Sequence, residues 1–581
     1  MTMNFYPRTS RSNRSGSALL LAMVMGAIAL ALLAGVMGWA VSSFRVTQRS
    51  IQYTRSVAAA EAATEKIKSQ IMRDFLNGGE ALVVNHLSAY QTTVPTAADS
   101  AYWGTWIFND GNGNAGQTFV QRVPGTPYVV LGSAYAGLQG YISTYTVVAH
   151  AQDAASSQDI TGGVYQELNL TVIPVFQFAM YSSGNMEISC GQPFDVTGRV
   201  HSNGKLYVEP DSSLTFESGV TAVVTNVFGR DPLDTRGPPA GGVVYVHPDE
   251  KISPVAAMTL PIGATNTPAA IREIIEPPPA GEDPASPMGH LRYFNQSDLV
   301  LVVADNAISA TSGDFNNFLT TVPPADLSTF VSTNSSFWDA RENKSVMPID
   351  INVGNLAAWG ATNSTLRPSL GGVALASVYI WDKRTIPAGK LGAVRVVNGM
   401  QLPPNGLTVA TGDPLYVQGD YNTDAATKGT ANTATTRPAS FAADAITILS
   451  DNWSDANSAN SVGSRIAAST TVNAAFLTGV VETTSGHYSG GMENFPRFLE
   501  TWGSANIFTY NGSMVKMFPS LYATNAWNNN NNIYSPPKRN WAYDVNFDDP
   551  TKLPPKTPSL LKVIPGRWTT VPPNSNVAAN P

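Results

Sequence analysis

Cysteine is almost absent from this 581-residue chain, in which Cys190 stands alone. A single thiol excludes an internal disulfide and cannot supply the paired cysteines of a CxxC metal site. The six histidines show no paired metal-ligand spacing, so we expect no cofactor. We interpret Cys190 as a small buried apolar residue in a fold that gains its stability from a continuous core.

Charge is scarce as well. Asp, Glu, Lys and Arg make up 13% of the residues, about half of the usual share, and the net charge is −7. The basic residues are scattered and form no stripe, which argues against a nucleic-acid partner. Glycine (48) and proline (40) are plentiful. This profile is typical of a β-rich protein with many turns.

One long apolar run stands out from this polar chain. Residues 18–41 carry no charge and would span roughly 36 Å as a helix, enough to cross a bilayer core of ~30 Å. A cleavable secretory peptide has an apolar region of only about 7–15 residues. The run therefore predicts a retained membrane span. We expect Arg8, Arg11 and Arg14 on the cytoplasmic side and the large polar part outside the cytoplasm.

The predicted helix continues beyond the membrane. No proline or glycine follows the run until Gly78 and Gly79, which are typical of a helix end. Glu65 and Lys68 are spaced to pair on the solvent side. Spacings of three and four produce one apolar stripe: Ala60, Thr64, Ile67, Ile71 and Phe75. We expect a rod over residues 17–76, roughly 90 Å long, which a simple anchor does not need.

The order of these features resembles the N-terminus of type IV pilin-like proteins, and more narrowly that of the PilX-type minor pilins. Arginines precede Gly16, an apolar helix follows, and its polar continuation carries "AAAEAA". The resemblance implies a leader over residues 1–16, cut by a prepilin peptidase between Gly16 and Ser17. It also implies that the helix packs with other pilin-like subunits in a pilus or pseudopilus.

Two positions depart from that pattern. Leu21 stands where the major pilins carry a glutamate, and Ser17 stands where a phenylalanine is usual. Some minor subunits also lack the acid, so the first departure indicates a minor subunit.

Small residues four apart in the apolar run would let helices approach closely in lipid. The pairs are Ala22 with Gly26, Ala31 with Gly35, and Ala34 with Gly38. We predict helix packing at these six positions. The alternative is that alanine and glycine are simply common in membrane helices.

Residues 77–182 predict a small pilin-like head in which an antiparallel sheet covers the end of the helix. Two long β-branched and aromatic runs, 141–153 and 163–181, flank the loop "AASSQDITG" as in a hairpin. Pro174 lies inside the second run and predicts a bend or an edge strand there.

Residues 183–535 predict a large β domain. Very short strands end in Gly, Asn, Asp or Pro every six to eight residues, and similar segments recur at 406–422, 444–453, 470–484 and 505–518. We favour a parallel β-helix, because stacked layers build one long core without disulfides; a β-sandwich is the alternative, since no strict period is visible. The fold class is α+β, mostly β.

Other segments of the second half carry further expectations. The insertion 228–291 predicts a short helix capped by Thr267, with Pro268 first and Pro277 as its stop, followed by a stiff surface linker. "WNNNNN" predicts a low-complexity loop. Residues 536–581 form a Pro-rich tail, in which we expect "RNWAYD" to dock on the last layer and the final ten residues to be disordered.

One loop has the start of a metal-site pattern. Asp110, Asn112 and Asn114 alternate as at the front of a calcium loop, and they are weak metal candidates. Gln121 stands where the twelfth-position acid belongs, which removes the bidentate ligand. We therefore favour a Gly/Asn turn.

No other segment forms a catalytic constellation. His201 and His487 fit structural or surface roles, and "GHYSGGME" lacks the setting of a nucleophile elbow. The mixed charges of "DARENK" predict a solvated turn or local ion pairs, with a partner contact as the alternative: Asp339, Arg341, Glu342 and Lys344.

Two functions fit the sequence. The first is a structural subunit, a large minor pilin-like component of a type IV pilus or type II secretion pseudopilus. It would be a single-pass protein of the bacterial inner membrane with its bulk outside. The second is a membrane-tethered carbohydrate-binding protein or polysaccharide-degrading enzyme. Segments 337–356, 414–422 and 490–502 also resemble large proteins with a PilX N-terminus, whose function is uncharacterised. We favour the structural subunit, without enzymatic activity.

Overall fold

The computed structural model describes residues 15–132, 135, 137–314, 317–364, 366–525, 527 and 532–576. Leader residues 1–14 and residues 528–531 of the Asn-rich segment lie outside the described residues, as do the last five residues of the tail.

One long helix leads into the rest of the protein. Helix α1 spans Ser15–Asn85, with non-helical backbone angles at Gly78 and Gly79, and helix α2 (Leu87–Gln91) follows. All five residues of the predicted stripe are fully buried. Glu65 and Lys68 form an ion pair at 2.9 Å. The predicted continuous rod is confirmed, since the helix does not break between its apolar half and its buried half.

A six-stranded antiparallel sheet packs on the second half of α1, and we call it the head sheet. Its first five strands are β1 (Trp106–Asn109), β2 (Phe119–Arg122), β3 (Tyr128–Val130), β4 (Gln139–Asp153) and β5 (Thr161–Pro174). β4 pairs with β5 over its length, while β1, β2 and β3 pair with successive parts of β4. The predicted hairpin is therefore present.

Helix and sheet meet most closely at Gly162. A Cβ atom there would lie 2.5 Å from the backbone nitrogen of Val57, so only glycine fits this contact. Ile67, Ile71 and Phe75 pack against Tyr145 and Leu168 further along. The head thus holds α1 along most of its polar half.

Pro174 does not lie in a bent or edge strand. β5 has neighbours on both sides and ends at Pro174, and the turn Val175–Gln177 follows. Because proline has no N–H group, it cannot continue the ladder. The predicted run 163–181 is thereby divided between the head sheet and the next domain.

The β domain begins with short strands in a repeating order. They are β6 (Met180–Ser182), β7 (Met186–Ile188), β8 (Phe194–Val196), β9 (Val200–Ser202), β10 (Lys205–Val208), β11 (Leu214–Phe216), β12 (Val220–Ala222), β13 (Thr225–Phe228), β14 (Val243–Tyr245) and β15 (Lys251–Ile252). Every third strand stacks in parallel on the last. Met180 pairs with Val200 and Val200 with Val220, a repeat of 20 residues. The sequence shows no strict period because few equivalent positions keep the same residue, such as Ser182 with Ser202 and Gly184 with Gly204.

The remaining strands of the domain extend this stack. They are β16 (Leu299–Ala304), β17 (Ala307–Asp314), β18 (Asn317–Val322), β19 (Val331–Ser332), β20 (Phe337–Asp339), β21 (Lys344–Asn352), β22 (Ser377–Asp382), β23 (Lys390–Val397), β24 (Leu407–Thr411), β25 (Leu415–Gln418), β26 (Ala439–Ala443), β27 (Ile446–Leu449), β28 (Thr470–Asn473), β29 (Ala475–Val480), β30 (Arg497–Phe498), β31 (Ile507–Gly512), β32 (Met514–Pro519) and β33 (Lys538–Tyr543).

Three sheets run through the extended stack. β6 pairs in parallel with β32, and a twelve-stranded sheet continues through β29, β26, β24, β22 and β16 to β17 and β18. A second sheet holds β21, β23, β25, β27 and β30, and a third holds β28, β31 and β33. The first layer of the domain therefore rests on its last layer. "RNWAYD", predicted to dock there, lies largely in strand β33.

Six short helices lie between these strands. They are α3 (Pro268–Arg272), α4 (Pro287–Leu291), α5 (Tyr293–Gln296), α6 (Pro324–Leu327), α7 (Val353–Thr362) and α8 (Leu366–Ser369). The Thr267 hydroxyl accepts the N–H of Ala270, so the predicted cap of α3 is confirmed. Met258 and Ile271 of the insertion are buried in a core shared with Ile173 and Leu560, which joins the head to the β domain.

The C-terminal tail contains a long strand that the sequence did not predict. Strand β34 (Ser559–Val571) pairs antiparallel with β5 and completes the head sheet. Residues beyond it still contact the head, since the carbonyl of Pro572 lies 3.1 Å from Nε2 of His150. The expectation of disorder is therefore wrong for residues 572–576. The prolines of the tail suggested that it contains no strand. Pro565 and Gly566 lie at a register shift between β34 and β5, where the backbone needs no ladder hydrogen bond.

We predict that β34 contributes to the stability of the head core. Leu561 is buried there, so Leu561→Ala should lower the free energy of unfolding by about 3 kcal/mol through lost burial and a residual cavity. Urea titration of the full chain in detergent, with hydrogen exchange of the β5 amides, measures this. Thr570→Ala, at an exposed position of the same strand, should cost less than about 0.5 kcal/mol. Equal effects of the two substitutions would contradict the prediction.

Candidate functional site

The apolar half of α1 is uncovered. Every residue from Ser17 to Ile51 is exposed, and the most apolar window of the helix is long and apolar enough to cross a membrane, with none of it buried. Large side chains along this half include Leu19, Leu20, Leu21, Ile28, Leu30, Val36, Trp39 and Phe44. Soluble monomers rarely leave a continuous apolar surface of this kind in water. Lipid or other apolar helices are the surroundings it fits.

The six predicted packing residues are all exposed and form two groups on the helix surface. Ala31, Ala34, Gly35 and Gly38 fall within about 100° of arc, whereas Ala22 and Gly26 lie on roughly the opposite face. A Cβ atom at Gly26, Gly35 or Gly38 would meet nothing within 4 Å. The fold of the chain therefore does not require glycine at these three positions.

Gly16 and Ser17 both lie within α1, near its start at Ser15. The charged-to-apolar boundary is thus helical where the resemblance places the peptidase cut.

Polar contacts hold the second half of α1 against the head. The Ser56 hydroxyl donates to the carbonyl of Ile160 at 3.0 Å. Tyr90 donates to Asp74 at 2.7 Å, and Arg122 pairs with Glu80 at 2.7 Å. Burial acts to raise the pKa of Asp74, but hydrogen bonds from Tyr90 and His86 outweigh it and lower that pKa. The helix is fixed by packing and by directional bonds.

The Asp110 loop is organised as a turn. The carboxylate of Asp110 accepts the N–H groups of Asn112 at 2.8 Å and Asn114 at 3.1 Å, and it also accepts the Asn114 side-chain amide at 2.9 Å. No group of three metal-ligating side chains occurs in the part of the chain that the structure describes. The loop instead contacts the C-terminal segment, since Asn576 donates to Asn112 at 3.3 Å.

Two further residues singled out in the sequence are structural. His201 is fully buried, stacks on Tyr181, and contacts the Thr221 hydroxyl at 2.8 Å. Burial lowers the pKa of His201 to about 4. Cys190 is buried, as expected. His487 is exposed in a loop.

The expectation of a solvated turn at "DARENK" is wrong. Asp339, Arg341 and Glu342 are all buried. The Asp339 carboxylate accepts the N–H groups of Arg341 and Glu342 and the hydroxyl of Tyr416, so its oxygens have hydrogen-bond partners inside the fold. Glu342 pairs with Arg497, which is distant in sequence, rather than with a local base. Lys344 begins strand β21.

A charged cluster lies beside these residues, and sequence reasoning missed it. Its acids, Glu187, Glu209 and Asp234, are buried, while Arg230 and Arg236 are partly buried. Arg236 forms a two-point contact with Asp234, at 2.7 and 3.0 Å, and Arg230 lies 3.3 Å from Glu209. Burial raises the pKa of Glu187 to about 7 and that of Glu209 to about 8. These acids lie on stacked strands, so only the fold brings them together.

Comparisons with known proteins give little further guidance. No family model and no curated protein matches the chain. Among solved structures, the competence-associated pilin ComZ from Thermus thermophilus aligns over 90% of this chain and 98% of its own, at 9% identity and a TM-score of 0.28.

We predict that ionisation of Glu187 destabilises the fold. Its pKa is about 7 in the folded protein and about 4.5 in an unfolded chain. Between those values the unfolded chain loses its proton first, so unfolding becomes easier as the pH rises, up to about pH 7. Glutamine cannot ionise, so the Glu187→Gln variant does not lose stability in this way. Its free energy of unfolding, relative to that of the wild type, should increase by on the order of 2–3 kcal/mol between pH 4.5 and pH 8.

Urea unfolding of the full chain at the two pH values measures this gain. Glu187 is faced by the Thr483 and Ser489 hydroxyls, and Lys516, Asp231 and Glu482 act on it over longer distances. Glu217→Gln, at an exposed position of the same stack, is the matched control. A stability difference that stays constant with pH would contradict the role given to Glu187.

Proposed function

We propose that the protein is a large minor subunit of a pilus or pseudopilus, with α1 in the filament and the β domain displayed outside. One observation carries the proposal: a single helix passes without a break from an uncovered apolar half into a half that the head sheet holds rigidly. A tether needs only a span of about 20 residues and tolerates a flexible connection. A filament subunit needs its apolar half fixed in direction relative to its head.

The sequence of the helix supports a packing role. The small residues at positions 31, 34, 35 and 38 share one face, where a second helix could approach closely. Leu21 stands in place of the acid of the major pilins, which supports a minor subunit. The proposed partners are other pilin-like subunits, a prepilin peptidase acting at Gly16, and the bacterial inner membrane, with the N-terminus cytoplasmic.

For the outer part we propose a parallel β-helix rather than a β-sandwich. Parallel pairing in every layer from β6 to β15 supports this, since sandwiches are built from antiparallel pairs. The 20-residue repeat supports it further. Such a stack extends a surface away from the filament, and the proposal assigns it no catalytic role.

We predict that Gly16 is needed for maturation. Gly16→Val should leave the leader attached, because a branched side chain would occupy the residue preceding the proposed cut. Intact-mass analysis of the protein from membranes detects the retained leader. Ser42→Val, at the other end of the apolar run, should mature normally. Normal maturation of Gly16→Val would refute the proposed cleavage site.

Gly35→Asp should prevent incorporation into filaments while the β domain still folds. A carboxylate at the centre of a membrane helix costs about 2.5–3.5 kcal/mol, and Gly35 lies on the predicted packing face. Co-purification with other pilin-like subunits in sheared filaments measures incorporation. Gly35→Ala keeps a small apolar residue and should assemble. Normal assembly of Gly35→Asp would count against helix packing.

A further inference from the structure

Two adjoining cavities open beside the charged cluster. The larger, of about 430 Å³, is lined by residues that include Arg236, Arg341, Tyr488, Asn525, Trp527 and Asp234, which is paired with Arg236. The smaller, of about 250 Å³, is lined by residues that include Gln192, Tyr488, Glu493, Asn494, Trp527 and Arg539. Arg236 borders it as well, and so does Asp211, which is paired with Arg230. The larger cavity has the size of a small-ligand site. The two share Arg236, Tyr488 and Trp527, so they are neighbours on one surface.

Arg341 lines the larger cavity with a guanidinium that forms no direct ion pair among the described residues. It is 6% exposed, and its Nε atom makes a long hydrogen bond of 3.4 Å to the carbonyl of Asn525. Glu342 is paired with Arg497, whereas Asp339 accepts hydrogen bonds from uncharged donors such as the Tyr416 hydroxyl and acts on Arg341 only over a longer distance. Among the described residues, no carboxylate lies within ion-pair distance of Arg341. A buried guanidinium without a counter-ion is costly, and an anionic ligand would relieve that cost.

Arg539 likewise lines the smaller cavity with a guanidinium that forms no ion pair among the described residues. Its Nη2 atom donates to the side-chain oxygen of Asn494 at 3.0 Å, while its Nε atom is buried without a partner. It too has no carboxylate within ion-pair distance in the described part of the chain. Each cavity therefore offers one unpaired guanidinium.

Most buried arginines of the β domain behave differently. Those paired with carboxylates are Arg230, Arg236, Arg272, Arg292, Arg384, Arg395 and Arg497. Arg465 also forms no ion pair among the described residues: its Nη2 atom donates to the carbonyls of Asn532 and Ile533, while its Nε and Nη1 atoms are buried without a partner. Most buried arginines of the described β domain are thus paired with carboxylates, and Arg341 and Arg539 are two exceptions that border neighbouring cavities.

We propose that the two cavities bind an acidic polysaccharide, with one sugar carboxylate at Arg341 and a second at Arg539. A guanidinium binds a carboxylate through two parallel hydrogen bonds, which gives both affinity and orientation. Two such positions in one site suit a polymer that repeats its charge along a chain. The inference goes beyond the assembly role and does not depend on it.

The lining between the two arginines fits sugar rings. Trp527 is half-buried and borders both cavities, and its Nε1 atom donates to the Tyr534 hydroxyl at 2.6 Å, which fixes the indole. Its ring also packs edge-to-face with Tyr488. A fixed aromatic ring offers an apolar surface for a sugar ring, while the side-chain amides of Asn525 and Gln192 can serve its hydroxyl groups.

Calorimetry on the full chain in detergent tests the proposal. The probe is a tetramer of a 1,4-linked uronic acid, compared with the matching tetramer of the neutral hexose. The uronate should bind at least tenfold more tightly, with affinity falling as salt rises. Arg341→Met and Arg539→Met should each weaken uronate binding at least tenfold. Arg384→Met, which removes a buried arginine paired with Asp382, should bind as the wild type does.

Thermal melting of each variant establishes that it is folded. If Arg341→Met does not fold, Arg341→Lys keeps the charge without the two-point geometry and should still bind more weakly, and Trp527→Ala should weaken both tetramers. Equal affinity for uronate and neutral tetramers would overturn the proposal, as would wild-type affinity in the arginine variants. Equally tight binding of a tetra-aspartate peptide would also overturn it. Because binding is measured on the isolated protein, the result does not depend on whether the protein enters filaments.

Discussion

The burial of one helix stripe against the head sheet sets the geometry of the whole molecule. Ala60 packs beside Val164 near the start of β5, while Phe75 packs beside Leu170 further along that strand. The helix and the strand therefore run together over several turns. Because the stripe fixes α1 in direction, the apolar half beyond it projects as a rigid extension. Without this packing the helix would be a tether, and its uncovered half would carry no fixed orientation.

Local features of the fold could be predicted from the sequence because local chemistry determines them. The stripe follows from spacings of three and four, the break at Gly78 and Gly79 from missing side chains, and the cap of α3 from Thr267 and Pro268. Strand pairing at long range could not be predicted in this way. β34 follows a Pro-rich segment and joins the head sheet from the far end of the chain, and no local signal specifies its partner.

The cavities lined by Arg341 and Arg539 could not be predicted from the sequence for a related reason. In sequence, "DARENK" has the composition of a solvated turn, because acids and bases alternate. In the fold, Asp339 bonds to its own turn and Glu342 pairs with Arg497, so Arg341 is buried without a direct ion pair among the described residues. Composition gives the charges present, whereas the pairing of each charge depends on strands that meet only in the stack. An unpaired buried arginine is therefore a property of the tertiary structure.

The two connections between head and β domain determine how load would pass through the molecule. The chain leaves the head sheet at Pro174 and returns at Ser559, and these two residues are paired in register. A pull on the β domain thus enters the head at one point through two neighbouring strands. Both strands run from there along α1 towards Gly162, which lies against Val57. Any force between the β domain and α1 is therefore carried by the packing of the head sheet on the buried stripe of the helix, the same contact that fixes the direction of the apolar half.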